Sequence, residues 1–379
     1  MRLLINCLSS VSGGAVNYLK NILPLLPRAV LAENAATEIS VLYHEFQQDL
    51  IPADPSLSRI MISGRRYGGI LRVMWEANHL PEIIADGRFD IAFTPYQIAI
   101  QPSGCRHVLM LRNMDPFRFR EYRRNLRGLA RNVLLEHASV RCLSHADRVV
   151  AVSKHAYNYA QSVLCIDESR LLTIYHGRNP TFDANPRLGG RPVKTAPGYQ
   201  FPYVLSVGSL FPYRRVEDVI DAFAKSIAPN FSEYRLVIAG DSDDDSYKRL
   251  IRRLVADSLC RDRILLLGHV ATETLAALYK GADCYVTATE VEACPNTAIE
   301  ALGASCPIVA SRAEPLPEIL GEAALYYEAR RTSEFGSQLA RVLRDKTLRE
   351  QLSFQAWKRA QSFDWETCAA STARALVAW

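Results

Sequence analysis

Two glutamates, Glu292 and Glu300, frame the stretch TATEVEACPNTAIEALGAS (287–305), which follows the apolar run DCYVT. Pro295, Asn296 and Thr297 stand where the spacing predicts the start of a helix. A helix start offers unpaired N–H groups and a positive dipole end, a natural seat for phosphate. A carboxylate one turn inside can accept both hydroxyls of a ribose diol. The same spacing also fits a solvated first-turn glutamate that complements the helix dipole. A second cluster, Val207-Gly208-Ser209-Leu210-Phe211-Pro212-Tyr213-Arg214-Arg215, follows the run YVLSV. Gly208 lets backbone approach a ligand closely. Arg214 and Arg215 can form bidentate, charge-assisted bonds to a diphosphate, or can be plain surface charge. In the first half, Gly13 and Gly14 of SGGA sit between the run RLLINC and a helix expected from about Ala15, where they permit close contact with a ligand. Neither G-x-G-x-x-G nor the P-loop pattern is present, which disfavours a nicotinamide dehydrogenase.

Asp241 and Asp243 have the spacing of some metal-binding carboxylate pairs, but their place after YRLVIAG suits helix N-capping better. The eight histidines form no zinc pattern. A basic tract runs from Arg112 to Arg131, with seven arginines against Asp115 and Glu121. Read as one helix, it places Arg120, Arg123, Arg124, Arg127 and Arg131 on one face, with Phe119, Tyr122, Leu126 and Leu129 interleaved. Such a helix could lie on an anionic membrane or hold an acidic lipid-linked acceptor. It could equally be a solvated face or pair with acidic residues of the same chain.

Elements must position these groups. Short apolar runs (RLLINC, EISVLY, FDIAF, HVLML, DRVVAV, then YVLSV, YRLVIA, RILLL, DCYVT, PIVA) alternate with helical patterns, the signature of parallel sheets covered on both faces. Val216, Val219, Ile220, Phe223 and Ile227 form a packing stripe. The 379 residues, 49% hydrophobic and 22% charged, suit two globular domains and exclude fibrous or disordered classes. A Pro- and Gly-rich stretch marks the join. The expected division is an N-terminal Rossmann-like domain over 1–185, a linker over 186–200, a second domain over 201–362 and a terminal helix over 363–379 that could dock back on the first. Net charge is +5, below that of a dedicated nucleic-acid binder. Nine scattered cysteines without C-x-x-C read as reduced thiols of a cytosolic protein. The opening residues read as a strand rather than a signal peptide, and no apolar run reaches membrane-spanning length.

Taken together, these pieces resemble the family 4 retaining glycosyltransferases of the GT-B fold, an α/β architecture of two doubly wound Rossmann-like domains facing a central cleft. The resemblance rests on Glu292-x7-Glu300 followed by Ala301-Leu302 and Cys306-Pro307-Ile308-Val309. VGSLFPYRRVEDVIDAF, LVIAGD, ILLLGHV, LYKGADCYVTATE, PLPEILGEAALYYE and FDWETCAAS add to it. In the first half SGGA, ADRVVAVSKHA and IYHGRN look familial. The resemblance implies that Glu300 holds the donor ribose, Glu292 contacts the donor sugar and Arg214 neutralises the diphosphate. The donor-side set is then Gly13, Gly14, Gly208, Ser209, Arg214, Arg215, Pro295, Asn296, Thr297 and Glu300, with Glu292 and Arg214 catalytic. The chain departs from the family pattern in three places. Ser209 stands where the family usually has arginine, and Ser305 where it often has glycine. A first-half histidine is missing, with Arg112 or Asn113 in its place. Those two, with Arg120, Arg124 and Arg127, are the acceptor-side or membrane candidates.

The resemblance implies a retaining hexosyltransferase that uses a nucleoside-diphosphate sugar, with UDP or GDP as the carrier, and needs no metal. Its acceptor is a glycan or lipid-linked acceptor of surface polysaccharide assembly, the expected location is the cytoplasm with contact to the inner face of the cell membrane, and no nucleic acid is involved. A sugar-nucleotide epimerase on the same frame and a non-catalytic sugar-nucleotide-binding protein are the alternatives.

Overall fold

A computed structural model describes residues 1–64, 69–121, 126–187, 198–242 and 244–379. The chain divides into two units, Met1–Gly177 with Asp364–Trp379, and Arg178–Phe363.

The first unit is built on β1 (Arg2–Asn6), α1 (Gly13–Ile22), α2 (Leu26–Glu33), β2 (Glu38–His44), β3 (Leu57–Ile62), α3 (Gly69–Gly87), β4 (Ile91–Thr94), β5 (Arg106–Leu111), α4 (Asp115–Arg118), α5 (Leu126–His145), β6 (Arg148–Ala151), α6 (Lys154–Ser162) and β7 (Leu171–Thr173). All strand pairs are parallel, in the order β3-β2-β1-β4-β5-β6-β7. The strand side chains Leu3, Leu4, Val41, Phe93, Val108, Leu109, Val149 and Val150 are fully buried, so the sheet is covered on both faces. The sequence names the apolar central strands of this sheet. It misses its two edges, β3 and β7. The alternating LSRIMI of β3 is half exposed, and β7 has three residues.

The second unit repeats the plan with β8 (Tyr203–Val207), α7 (Val216–Ala222), β9 (Arg235–Ala239), α8 (Asp245–Ala256), β10 (Ile264–Gly268), α9 (Thr272–Gly281), β11 (Cys284–Thr287), α10 (Asn296–Gly303), β12 (Ile308–Ser311), α11 (Leu316–Leu320), β13 (Ala324–Tyr327), α12 (Thr332–Arg344) and α13 (Lys346–Ala360). Its six parallel strands run β10-β9-β8-β11-β12-β13. The expected stripe Val216, Val219, Ile220, Phe223 and Ile227 is buried, and α7 continues through a π-helical turn over Phe223–Ile227 that keeps Ile227 in the core. Asp244 caps α8 by accepting the Tyr247 N–H at 3.1 Å. Asp241 binds Lys248 and the Ser242 N–H, and Asp243 lies outside the described residues.

Each sheet reverses strand order beside its first strand, between β1 and β4 and between β8 and β11. Ligands of doubly wound sheets lie outside the strand C-termini at such a switch point. The chain passes between units at 177/178 and 363/364. This first crossing precedes the sequence division at 185, because residues 178–187 pack within the second unit. There Ala184 N–H donates to the Gly303 carbonyl at 2.9 Å, Ser305 Oγ donates to the Ala184 carbonyl at 2.6 Å, and Arg187 is bonded to the Tyr279 and Ala282 carbonyls. Residues 188–197 of the expected linker lie outside the described residues.

The terminal helix α14 (Trp365–Val377) belongs to the first unit. Arg28 pairs with Glu366 at 2.7 Å, and Trp365 packs its ring edge on Tyr18 and its face on His176. Gly177 lies against Trp365 so closely that a Cβ would overlap its backbone nitrogen. Gly177→Ala should therefore lower the melting temperature, because overpacking against backbone typically costs about 1–3 kcal/mol. Circular dichroism melts of the two proteins check this, and equal midpoints would show that α14 is not held as described.

Candidate active site

The second unit's switch point carries two loops, one after β8 and one after β11. Gly208 has φ +147°, and Gly240 behind it approaches so closely that a Cβ there would overlap the Gly208 carbonyl oxygen. That contact of backbone on backbone requires glycine. The β8 loop then makes a short 3₁₀ turn over Pro212–Arg214 and returns to α7 through Arg215 in the left-handed region, φ 51°. The two loops are tied together, since Tyr213 C=O accepts from Glu290 N–H at 2.8 Å and from Thr289 Oγ1 at 3.4 Å. Ser311 Oγ holds the Thr289 carbonyl at 2.6 Å.

Arg214 Nη1 donates to Glu292 Oε1, which joins the two loops by charge. Glu292 is buried, and burial pushes its carboxyl above the usual range while Arg214 and a bond from Thr289 hold it back. Burial would lower the Arg214 guanidinium, but Glu292 and the neighbouring Tyr213 and Tyr285 raise it. Arg214 Nε is buried without a partner. Gly208 faces this guanidinium, as a Cβ there would lie 3.6 Å from Arg214 Nε. A buried donor without a partner costs free energy, on the order of 1–3 kcal/mol, and is a place for a ligand's acceptor.

Helix α10 begins at Asn296 with Pro295 as its N-cap and no side-chain cap. Thr297 is fixed by two tyrosines, its Oγ1 accepting from Tyr285 at 3.1 Å and its carbonyl from Tyr279 at 2.9 Å. Glu300, one turn inside, has a buried Oε2 with no partner. Burial pushes its carboxyl up to about 8, against which the Tyr279 hydroxyl works only weakly. It is therefore not the solvated first-turn glutamate that the spacing also allowed.

The geometry brings Gly208, Arg214, Glu292, Pro295, Asn296, Thr297 and Glu300 onto the adjoining C-terminal ends of β8 and β11. Ser209 lies on the same loop, exposed. Arg215 turns the other way, since its guanidinium binds Asp218 at 2.8 Å and Glu217 at 2.9 Å. Its charge is spent within α7, so it does not make up for Ser209 beside Arg214.

In the first unit Gly13 and Gly14 open α1, exposed, with Gly13 at φ +55° and no side-chain cap from Ser12. Asn113 is locked in place: its N–H and C=O pair with Gln97 at 3.1 and 2.8 Å, and its Oδ1 caps Asp115 N–H at 3.0 Å. Arg112 reaches Ser10 Oγ at 3.4 Å and stands over the Tyr96 ring at 5.5 Å. Sequence reasoning missed Ser10, Tyr96 and Gln97. The signal was there in the polar pair Tyr96-Gln97, which follows the apolar run FDIAF after Thr94 and Pro95.

The single helix expected over the basic tract is corrected. Asp115–Arg118 is a short helix and Phe119–Glu121 a 3₁₀ turn with Phe119 fully buried, and the described part of α5 begins at Leu126. The interleaved aromatic thus belongs to the core, and the turn takes Arg120 onto Glu136 in a two-bond pair at 2.7 and 2.9 Å. Arg124 lies outside the described residues, and Arg127 falls in the first turn of α5. Among the described residues no group of three or more His, Cys, Asp or Glu is placed to hold a metal ion, and no helix is long and apolar enough to cross a membrane.

Residues 12–182 match the family model described as Glycosyltransferase Family 4, and residues 193–359 that described as Glycosyl transferases group 1. The O-antigen chain mannosyltransferase B of Escherichia coli is 26% identical over 175 residues, 46% of this chain and 45% of its own length. The chain spans about half the length of the curated relatives it matches. Sucrose-phosphate synthase of Thermosynechococcus elongatus superposes with TM-score 0.74 at 17% identity, over 98% of this chain and 97% of that one. HepE of Anabaena, solved in complex with UDP-glucose, gives TM-score 0.71 at 15% identity, over 98% of each. These structures share the fold, with Rossmann-like parallel sheets of the GT-B class.

The raised Glu300 carboxyl has a consequence for stability. The folded protein holds this proton more tightly than the unfolded chain, so the group's contribution is fullest at acid pH and is lost as pH rises from 4.5 towards about 8. Glu300→Gln, which keeps the shape and cannot ionise, should melt at a higher temperature than the native protein above neutrality. The gap should shrink towards pH 5, where both side chains are largely neutral. Melting curves over this range check it, and a constant gap would place Glu300 in water.

Proposed function

The chain belongs to the glycosyltransferases of group 1 and family 4, and from that premise we propose that it transfers a hexosyl group from a nucleoside-diphosphate sugar, with retention of configuration, to a glycan or lipid-linked acceptor of surface polysaccharide assembly. One observation carries this reading: two buried, unpartnered polar atoms, Arg214 Nε and Glu300 Oε2, on adjoining loops of one switch point. The first is a cationic donor suited to phosphate, the second an acceptor suited to the hydroxyls of a ribose. HepE, a structural neighbour, was solved with UDP-glucose, which supports a nucleotide-sugar donor here.

In this reading Glu300 accepts the ribose hydroxyls, the start of α10 at Pro295, Asn296 and Thr297 faces the diphosphate, and Glu292, held by Arg214, meets the sugar. The acceptor hydroxyl attacks the anomeric carbon on the face from which the diphosphate departs. The C–O bond to phosphate breaks, and the leaving phosphate oxygen takes the hydroxyl proton. Arg214 and the helix start stabilise the charge that grows on the leaving group, so no metal is required.

The acceptor side suits a membrane-bound glycan. Helix α5 exposes Leu129, Val133 and Leu134 beside Arg131, an apolar and basic face that fits anionic lipid at the inner membrane surface.

Calorimetry in buffer containing EDTA tests the donor site. Glu300→Ala should raise the dissociation constant of UDP or GDP about tenfold or more, because a hydrogen bond to a charged group is worth about 1.5–3 kcal/mol. Arg214→Ala should weaken the diphosphate and spare the bare nucleoside, and Glu292→Gln should cut turnover more than binding. Equal, small effects from all three on folded protein would remove the assignment. Binding without turnover on any acceptor would leave a nucleotide-sugar-binding protein. For the membrane face, Leu134→Glu with Arg131→Gln should abolish most sedimentation with phosphatidylglycerol vesicles, since each basic residue near such a surface contributes about 1 kcal/mol. Native protein that stays in the supernatant at low salt would overturn that face.

A further inference from the structure

Among the described residues, the buried arginines Arg72, Arg187 and Arg349 have engaged guanidinium groups. Arg72 makes two bonds to Glu76, at 2.7 and 2.8 Å, and one to the Ile98 carbonyl. Arg187 holds the Tyr279 and Ala282 carbonyls, and Arg349 those of Val342 and Leu343. Arg112 differs. Its Nη1 is buried with no partner, and among the described residues its Nη2 has only the Ser10 hydroxyl at 3.4 Å and no carboxylate faces it. The ionisable groups that act on it are Tyr96, Tyr18 and Cys7, none of them a carboxylate, and burial pushes the guanidinium down to about 10. A buried guanidinium N–H without an acceptor costs free energy, and Arg remains charged at pH 7. The contrast is sharpest across the Tyr96 ring, which lies 6.0 Å from the satisfied Arg72 and 5.5 Å from Arg112.

The position points to a ligand. Ser10, Tyr96 and Arg112 follow β1, β4 and β5, three adjacent strands at the first unit's own switch point. The β1 loop leads directly into α1, whose first turn has no side-chain cap, and it carries a second orphan, the buried Ser9 Oγ. We propose that Ser10 and Arg112 form an oxyanion subsite for a phosphate group carried by the acceptor. A phosphate supplies the missing negative charge and several acceptor oxygens, for the guanidinium fork and the serine hydroxyl together. Asn113, the other candidate at this point, has its backbone and its Oδ1 committed. This inference rests on the glycosyltransferase reading for the word acceptor, while the anion subsite itself does not.

The test follows the Arg112 Nε–H resonance in full-length protein labelled with 15N-arginine, assigned by its loss in Arg112→Lys. Inorganic phosphate and glucose 1-phosphate are titrated against sodium chloride at matched ionic strength. A saturable shift is expected with both, and it should persist when UDP and GDP are present in excess. Ser10→Ala should weaken the phosphate response several-fold without changing the melting temperature by more than a few degrees, which separates loss of the site from loss of the fold. No response up to about 50 mM, where even a millimolar site is filled, would overturn the subsite. A shift produced by UDP or GDP that abolishes the phosphate response would assign the anion to the donor and overturn the acceptor assignment. If neither nucleotide binds by calorimetry while phosphate still shifts Arg112, the donor reading fails and the subsite stands.

Discussion

A parallel strand buried on both faces leaves no room for chemistry along its length, and that constraint governs the molecule. Tyr203, Val204 and Leu205 of β8 and Cys284, Tyr285 and Val286 of β11 have no exposed surface. Polar groups are therefore displaced to the strand ends, where the loops after β8 and β11 diverge around the reversal of strand order. Arg214, Glu292 and Glu300 meet there because the sheet excludes them elsewhere. In the first unit the same exclusion puts Ser10, Gln97 and Arg112 at the ends of β1, β4 and β5.

Alternation of strand and helix also produces many helix C-termini, each with carbonyls that lack an internal partner. Arginine answers this need repeatedly. Arg170 serves the end of α5, Arg187 that of α9, Arg349 that of α12, Arg178 that of α13, Arg359 that of α11 and Arg148 that of α14. A cation there also meets the negative end of the helix dipole. The modest positive balance of the sequence thus reflects internal capping as much as any surface field, and the orphaned Nη1 of Arg112 serves no carbonyl and no carboxylate.

Legibility in the sequence tracked burial. Central strands such as RLLIN and DCYVT are continuous apolar runs and announce themselves, whereas β3, β7 and β13 lie at sheet edges, short or half exposed, and give no such signal. Glu292 and Glu300 were singled out by resemblance to a family signature, whereas spacing alone left Glu300 open between a ligand contact and a solvated first-turn position. The fate of Arg215 was not legible, since adjacent arginines read alike until a left-handed residue sends one into α7 and leaves the other on Glu292. The basic tract misled for a similar reason: a helical wheel assumes continuity, and burial of Phe119 breaks it. Ser305 was noted only as standing in a glycine's place. The structure shows why that place matters, with φ 51°, and how serine survives there, through a bond to the Ala184 carbonyl and one from Ser353 Oγ to its own carbonyl.

The two glutamates of the candidate site have the same chemistry and opposite electrostatic situations. Glu292 shares its burial with a guanidinium, so it stays paired and directional, while Glu300 has only a tyrosine hydroxyl nearby and is driven towards its neutral form. A cationic ligand would suit Glu300 poorly while it is protonated, whereas hydroxyl donors can restore the carboxylate by hydrogen bonding. Arg214 divides its donors in a corresponding way. Nη1 holds Glu292 and Nε holds nothing, so a phosphate can be received at Nε without breaking the ion pair that links the two loops. Under the proposed function the diphosphate therefore adds to a fixed geometry instead of competing for it, and Glu292 remains oriented for the sugar while charge develops on the leaving group.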